Sequence, residues 1–558
     1  MLRDQIATMI EQGLRAAQKA GELPRFDLPP IVIERPQQPE HGDYSSPVCM
    51  GLARYARMAP IKIAQGVLSH LARPKAVARV EAVHPGYLNI HLDTDWIAQQ
   101  VDAILAAGET WGAIDLGHGQ RVQVEFGSAN PTGPLHVGFG RNVVLGDAIA
   151  SVLEAAGYQV QREYYVNDAG TQMGLFAASL YARYAQALGQ DVEFPANGYH
   201  GQYVIDWAQE IAQSHGDRFL QMDRDKAVRA IGELGLEEKV LQSVRRDVEL
   251  LNIHYDNWFR EHTLYQGSQF GAIMSILRQG DNLVEKEGAV WFKATQYGVE
   301  KDEVVIRSNG QPGYFVSDIA YHYEKFVERG FDRVIDVWGA DHQGHVPRMK
   351  AMMHALDLDP ERLTLLLYQL VTIKEGGEDI RLSKRAGTLV NLHELLEDVG
   401  ADAVRFFLLS RDVDSQMEFD LDLAREQSDK NPVYYVQYGH ARIASILRKA
   451  AEEGWDVESD AGDTRLLTHP SELALMRRML GLEEVIELAA SNLAPHHLTY
   501  YAQDLASDLH AFYRDCRVIS SEPDDVALTQ ARLKLVRAAQ GVLARVLHLM
   551  GMTAPERM

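Results

Sequence analysis

The chain has 558 residues, 46% of them hydrophobic and 24% charged, and carries a formal net charge of −23. That length suits three or four domains of ordinary globular composition. The charge argues against a protein that coats nucleic acid indiscriminately, although it leaves room for a specific RNA partner met by a local patch. No apolar run approaches the roughly 20 residues that span a membrane. The two cysteines, Cys49 and Cys516, supply neither a disulfide framework nor a cysteine-based zinc site. The opening amphipathic stretch MLRDQIATMIEQGLRAAQKAG lacks the apolar core of a signal peptide, and the expected compartment is the cytoplasm.

Residues 1–112 read as a separate α+β unit: a helix, the strand PIVIERP, a polar loop PEHGDYSSPV, two helical stretches and the strands RVEAVHPGYLNIHL. Residues 113–190 alternate strand and helix, as in one half of a doubly wound parallel sheet. Their centre is VEFGSANPTGPLHVGFGRNVVLGD, a strand, a turn of Gly, Asn and Pro, and a helix. That succession leaves unpaired N–H groups at a helix start, which suits phosphate. Neither G-x-G-x-x-G nor the Walker pattern is present in it, so NAD and P-loop readings do not fit. Residues 191–285 are polar and helical in pattern and read as an insertion. The sheet is expected to resume over 286–428, with GAVWFKA, EVVIRSNGQPGYFVSD and FDRVIDVWGADHQGH. Gly339, Asp341 and His345 fall at the end of the apolar strand VIDVW, the ligand rim of such a sheet. After the strand LLLYQLVTI comes a Gly-flanked segment, RLSKRAG, whose Ser383 and Lys384 suit a loop that closes over a leaving anion. From 429 to 558 apolar residues recur at helical spacing, predicting an all-helical bundle. The basic run Arg532, Lys534, Arg537 and Arg545 reads as the solvated face of one of its helices.

Taken together, the segments LHVG, GADHQGH and RLSKR resemble, in order, the nucleotide-binding signatures of class I aminoacyl-tRNA synthetases. SANPTGPLHVG followed by GD looks like the arginine-specific branch of that class, and PEHGDY, PGYLNIHL, NPVYYVQYGHAR and the terminal PERM extend the resemblance over essentially the whole chain. It implies a Rossmann-like α/β catalytic domain, an N-terminal α+β domain on the tRNA elbow and a C-terminal helical anticodon-binding bundle. It implies ATP held by His136, Gly138, Gly339, Asp341, His345, Ser383 and Lys384, with His136 and Lys384 acting in catalysis. A guanidinium is planar, permanently charged and rich in donors, so its pocket needs carboxylates. The resemblance assigns Glu125, Asn130, Tyr314 and Asp318 to arginine, and Tyr87, Asn89 and Tyr438 to tRNA.

The expected activity is that of an arginine–tRNA ligase, a monomer away from membranes. It uses ATP with Mg2+, arginine and tRNA(Arg), has no protein-held metal, and activates arginine only with tRNA bound. A tRNA-binding paralogue that has lost activation is the alternative, and an adenylyltransferase acting without RNA is a third. One departure stands out. The signature's second His is Phe139, which cannot donate to a phosphate, so either a neighbour substitutes, the second His is dispensable, or activation is lost.

Overall fold

The computed structural model describes residues 1–265, 269–380 and 391–558, apart from the side chains of Pro39, Gln269, Tyr314 and Ile380. Ser383 and Lys384 therefore lie outside the described residues. The helix Leu2–Ala20 buries Ile6, Ile10, Leu14 and Ala17 along one stripe and stops at Gly21, whose φ of 78° is left-handed. It packs on the helix Pro60–Leu68, beneath an antiparallel sheet of β1 (Tyr44–Ser46), β2 (Val77–Val83) and β3 (Tyr87–Leu92), ordered β1-β3-β2. PIVIERP, expected as a strand, makes a single bridge from Glu34 to Ser45. Its flanking prolines, Pro30 and Pro36, have no N–H to give to a ladder.

In chain order the next segment supplies β4 (Arg121–Glu125), β5 (Gln159–Val166), β6 (Asn257–Arg260), β7 (Leu283–Lys286), β8 (Ala289–Phe292), β9 (Glu303–Ile306), β10 (Arg333–Gly339) and β11 (Leu363–Tyr368). The central sheet is parallel, in the order β11-β10-β4-β5-β6. Its first strand, β4, leads into the helix Val137–Ala155 on one face, and the helix Tyr314–Tyr323 covers the other. The order reverses between β4 and β10, the crevice where ligands bind in open α/β sheets.

Two expectations change. β6 lies within the 191–285 stretch read as a helical insertion; four residues are too few to carry a periodic signal. GAVWFKA and EVVIRSN do not resume the central sheet but form a separate antiparallel one, ordered β7-β8-β9. Glu287 and Gly288 both have positive φ, 55° and 74°, which makes a two-residue hairpin turn and pairs β7 directly with β8.

Beyond the sheet, β12 (Val371–Glu375), β13 (Glu378–Ile380) and β14 (Met417–Asp420) form a small sheet on either side of the lysine segment. The helices Pro432–Glu452, Pro470–Leu480, Leu482–Asn492, His496–Asp515 and Val526–Leu549 then make the bundle. The basic residues of its last helix do not form a solvated face. Lys534 is 3% exposed, donates to the Asp460 carbonyl at 2.7 Å and pairs with Asp102 of the helix Thr94–Ala107, while Arg532 reaches Glu472 at 2.7 Å.

Candidate active site

β4 ends at Glu125 and turns sharply. Gly127 has φ 74°, and a Cβ there would lie 2.5 Å from the Tyr255 hydroxyl, so only glycine makes the turn. The backbone N–H of Gly127 donates to Asn142 Oδ1 at 2.5 Å, and Asn142 Nδ2 donates to the Val337 carbonyl at 2.8 Å. One amide thus ties the exit of β4 to the end of β10 and fixes the width of the crevice. His136 follows at the N-cap of Val137–Ala155, and its side chain makes no capping hydrogen bond.

The His136 ring lies over Gly138, where a Cβ would be 2.9 Å from its Cε1. Phe139 closes the other side, with ring centroids 4.7 Å apart at 66°. At the position of the missing histidine, Phe139 therefore buttresses His136. Gly138→Ala should force that ring to turn and lower the rate of the activation step expected at this helix start by about a hundredfold with the fold intact; single-turnover kinetics would reveal it. His136 also bridges Asn391, and Leu392 N donates to the Leu135 carbonyl at 2.9 Å, so the chain after residue 390 rejoins the described structure beside the signature.

On the neighbouring strand, Gly339 ends β10 and a short helical turn, Ala340–His345, carries Asp341, His342 and His345. A Cβ on Gly339 would strike the Asp341 carboxylate, which folds back over it. His342 and His345 meet edge to face at 5.3 Å, and burial together with Arg348 and His342 lowers the basicity of His345. A neutral imidazole beside a planar backbone suits a nucleoside better than a phosphate.

A second group of polar side chains lies where the helix Tyr314–Tyr323 meets the turn Glu261–Tyr265. Tyr314 opens that helix after Gly313. Asp318, one turn on, borders the gap between these two elements and is half-buried, with 38% of its side chain open to water. Burial, reinforced by Glu125 and Asp336, pushes its carboxyl up to about 6. His322 and Arg348, the latter at 3.9 Å, pull it the other way. Glu261 faces the same space, 7% exposed, and is raised to about 7 by burial and by Asp318 and Asp168. Asn167, in the amide orientation that satisfies both of its ends, donates to Glu261 Oε2 at 2.6 Å, and exposed Asn130 is beside it. The sequence reading missed Glu261, and no spacing motif surrounds NWFREHTLY to reveal it.

Glu125 has partners of its own: Lys325 Nζ at 2.6 Å and Ser128 Oγ at 2.9 Å. It is 8% exposed and close enough to Asp318 to raise that carboxyl.

The tRNA candidates divide. Asn89 is 3% exposed and accepts from Ser45 Oγ at 3.0 Å within the N-terminal sheet, while Tyr87 is half-buried at the start of β3. Tyr438 is exposed, stacked with Tyr434 at 6.1 Å and His510 at 6.0 Å, and its hydroxyl accepts from Arg442 at 2.7 Å. Aromatic faces beside a guanidinium are a platform for unpaired bases.

A parallel sheet with a His-x-Gly helix start and a Gly-x-Asp rim on adjacent strands defines a class I tRNA synthetase catalytic domain. Residues 100–420 match the family described as tRNA synthetases class I (R), catalytic domain; residues 4–92 match the arginyl tRNA synthetase N-terminal domain, and 436–558 the DALR anticodon binding domain. An arginine–tRNA ligase of Dehalococcoides mccartyi is 49% identical over 557 residues, covering 100% of this chain and 99% of that protein. Another, from Moorella thermoacetica, is 47% identical over 99% of this chain and 98% of its own length. The Thermus thermophilus arginyl-tRNA synthetase structure superposes over 100% of both chains with a TM-score of 0.75 at 26% identity. The chain belongs to the arginyl-tRNA synthetase family.

Proposed function

We propose that the crevice joins arginine to ATP and passes the product to tRNA: an arginine–tRNA ligase that releases pyrophosphate and AMP. The carrying observation is the pair Asp318 and Glu261, two carboxylates brought together where the helix Tyr314–Tyr323 meets the turn Glu261–Tyr265. The arginine carboxylate, already an anion, attacks the α-phosphate of ATP; no general base is required, and the protein aligns the reactants and stabilises phosphate charge. His136 and the helix start it caps receive the phosphates, with Lys384 and Ser383 closing over the pyrophosphate. Gly339, Asp341 and His345 hold ribose and base. Asn130 takes the α-amino end of arginine, and Asp318, Glu261 and Tyr314 take the guanidinium. Glu125 supports them from below.

Among the described residues no group of three or more His, Cys, Asp or Glu is arranged to hold a metal. Mg2+ would come with ATP, bound to its phosphates, whose charge it offsets. Tyr438 and its stack receive anticodon bases, and Tyr87 with Asn89 meets the tRNA elbow. We place the enzyme in the cytoplasm as a monomer. Both cysteines are unpaired and buried, and among the described residues no helix is long and apolar enough to cross a membrane.

Charging of total tRNA with labelled arginine tests the reading. Arginine should be accepted and citrulline, which replaces the guanidinium with a neutral urea, should not compete; equal competition would overturn it. Acidity supplies a second check. The Asp318 and Glu261 carboxyls are both raised, so they are ionised only above about 6 and about 7 respectively, and the cation needs them ionised. The value of kcat/KM for arginine, which reports the free enzyme, should fall as pH drops through that window, while kcat/KM for ATP falls less.

A further inference from the structure

Glu163 of β5, Glu125 of β4 and Asp336 of β10 stand at one register level on one face of the sheet, all of them buried. Adjacent strands lie about 4.8 Å apart, so like charges crowd one dry layer. Such a layer ionises only with cations in contact.

The helix above supplies them. Tyr314–Tyr323 runs into a π-helical turn, Glu324–Glu328, whose extra residue per turn swings Lys325 down onto the sheet. Lys325 is 0% exposed, and its Nζ donates to Glu125 at 2.6 Å and to Asp336 at 2.9 Å, 4.0 Å above the Tyr321 ring. Arg329 holds Glu163 at 2.8 Å with help from the Tyr321 hydroxyl, and His322 Nε2 meets the other oxygen of Asp336 at 2.9 Å. Elsewhere around the cleft, Arg260 and His262 pair with Asp168, and Arg348 is shared between Asp318 and Glu303 of β9. Tyr165 and Tyr265 complete the titratable neighbours from β5 and the Glu261–Tyr265 turn.

Asp318 lies on the same side of this helix as His322 and Lys325, four and seven residues ahead of them, and opens into the cleft. We propose that Lys325 sets the charge of the pocket. By cancelling Glu125 and Asp336 it leaves Asp318 and Glu261 ionised and facing the substrate, and so makes the site selective for a guanidinium cation. This rests on the assignment of Asp318 to the arginine side chain. Lys325 is a positioning residue: it touches neither substrate.

Lys325→Met keeps length and removes charge. The KM for arginine at pH 7 should rise about tenfold and the acid limb of kcat/KM for arginine should move up by about one pH unit, with the KM for ATP within about twofold. Adding Glu125→Gln removes the carboxylate that Lys325 cancels, and should bring that limb back down in the double variant. A limb at the wild-type position in K325M, or a double variant whose limb stays displaced upward, would overturn the proposal and leave Lys325 as packing alone. Should K325M fail to fold, Glu125→Gln alone decides: with one carboxylate removed and Lys325 kept, the limb should move below the wild-type position, and an unmoved limb would overturn the proposal. Asp318→Asn, measured in parallel, separates the two levels: an unchanged arginine KM there defeats the pocket assignment itself, whatever Lys325 does.

Discussion

Asp318→Asn raises the KM for arginine by roughly two orders of magnitude, about 3 kcal/mol, and leaves the KM for ATP nearly unchanged. The substitution keeps shape and one acceptor oxygen, so the helix Tyr314–Tyr323 has no packing reason to move. What it removes is the charge that pairs with a guanidinium, and it turns an acceptor into an NH2 that faces the donors of the substrate. Arg348 approaches Asp318 only at 3.9 Å and is shared with Glu303 at 3.6 Å, so the carboxylate keeps room for the cation of the substrate. Glu261 remains in the cleft, which is why binding weakens rather than disappears. Steady-state kinetics at pH 8, where both carboxyls are ionised in the parent enzyme, gives the comparison. An arginine KM equal to that of the parent, in a folded variant, would contradict the assignment.

Arg405→Met lowers the stability of the enzyme by about 3–5 kcal/mol, the cost of breaking a buried charged contact from one side. Arg405 is fully buried on the helix Ala401–Leu409. Its guanidinium donates to the Met550 carbonyl at the end of the last bundle helix, to the Leu251 carbonyl at 2.6 Å, and to Asp147 on the signature helix. Gly551, at φ 70°, lies so close that a Cβ would strike the guanidinium. Methionine fills much of the same space but returns none of these donors, so two carbonyls and a carboxylate lose a partner in a dry junction. Asp147 keeps Arg162 at 3.1 Å, which limits the damage. Thermal unfolding should shift down by roughly 5–10 °C for the segment containing the signature helix. Arg15→Ala provides the contrast: its pair with Glu11 spans one helical turn at 63% and 42% exposure, and its loss should be worth about 0.5 kcal/mol or less. Equal shifts for both variants would refute the junction's importance.

The parts of the site that were legible in the sequence are those written in short contiguous segments. RVQVEF ending in a Gly-Pro turn and VIDVW ending in Gly339 carry strand, turn and ligand rim within a few residues, and the described residues place both on adjacent strands. What stayed hidden depends on distance along the chain. Lys325 and Glu125 are 200 positions apart, and nothing in AYHYEKF distinguishes an inward lysine from a surface one until the π turn places it. Glu261 was missed for the same reason: it reaches the cleft because the four-residue strand β6 delivers it there, and so short a strand has no readable period. Asn89 alternates with Leu88 and Ile90 like a solvent-facing strand residue, but Ser45, opposite it on the neighbouring strand β1, donates to its side-chain carbonyl, and it is 3% exposed. The helical bundle, by contrast, follows from a period sustained over many turns.

Arginine-dependent exchange of labelled pyrophosphate into ATP tests the central claim most directly. Exchange should occur when arginine and tRNA are both present and cease when either is left out, which would also show that Phe139 is tolerated in the signature. Silence in every mixture, with tRNA still bound, would contradict the account and leave a protein that holds tRNA without activating its amino acid.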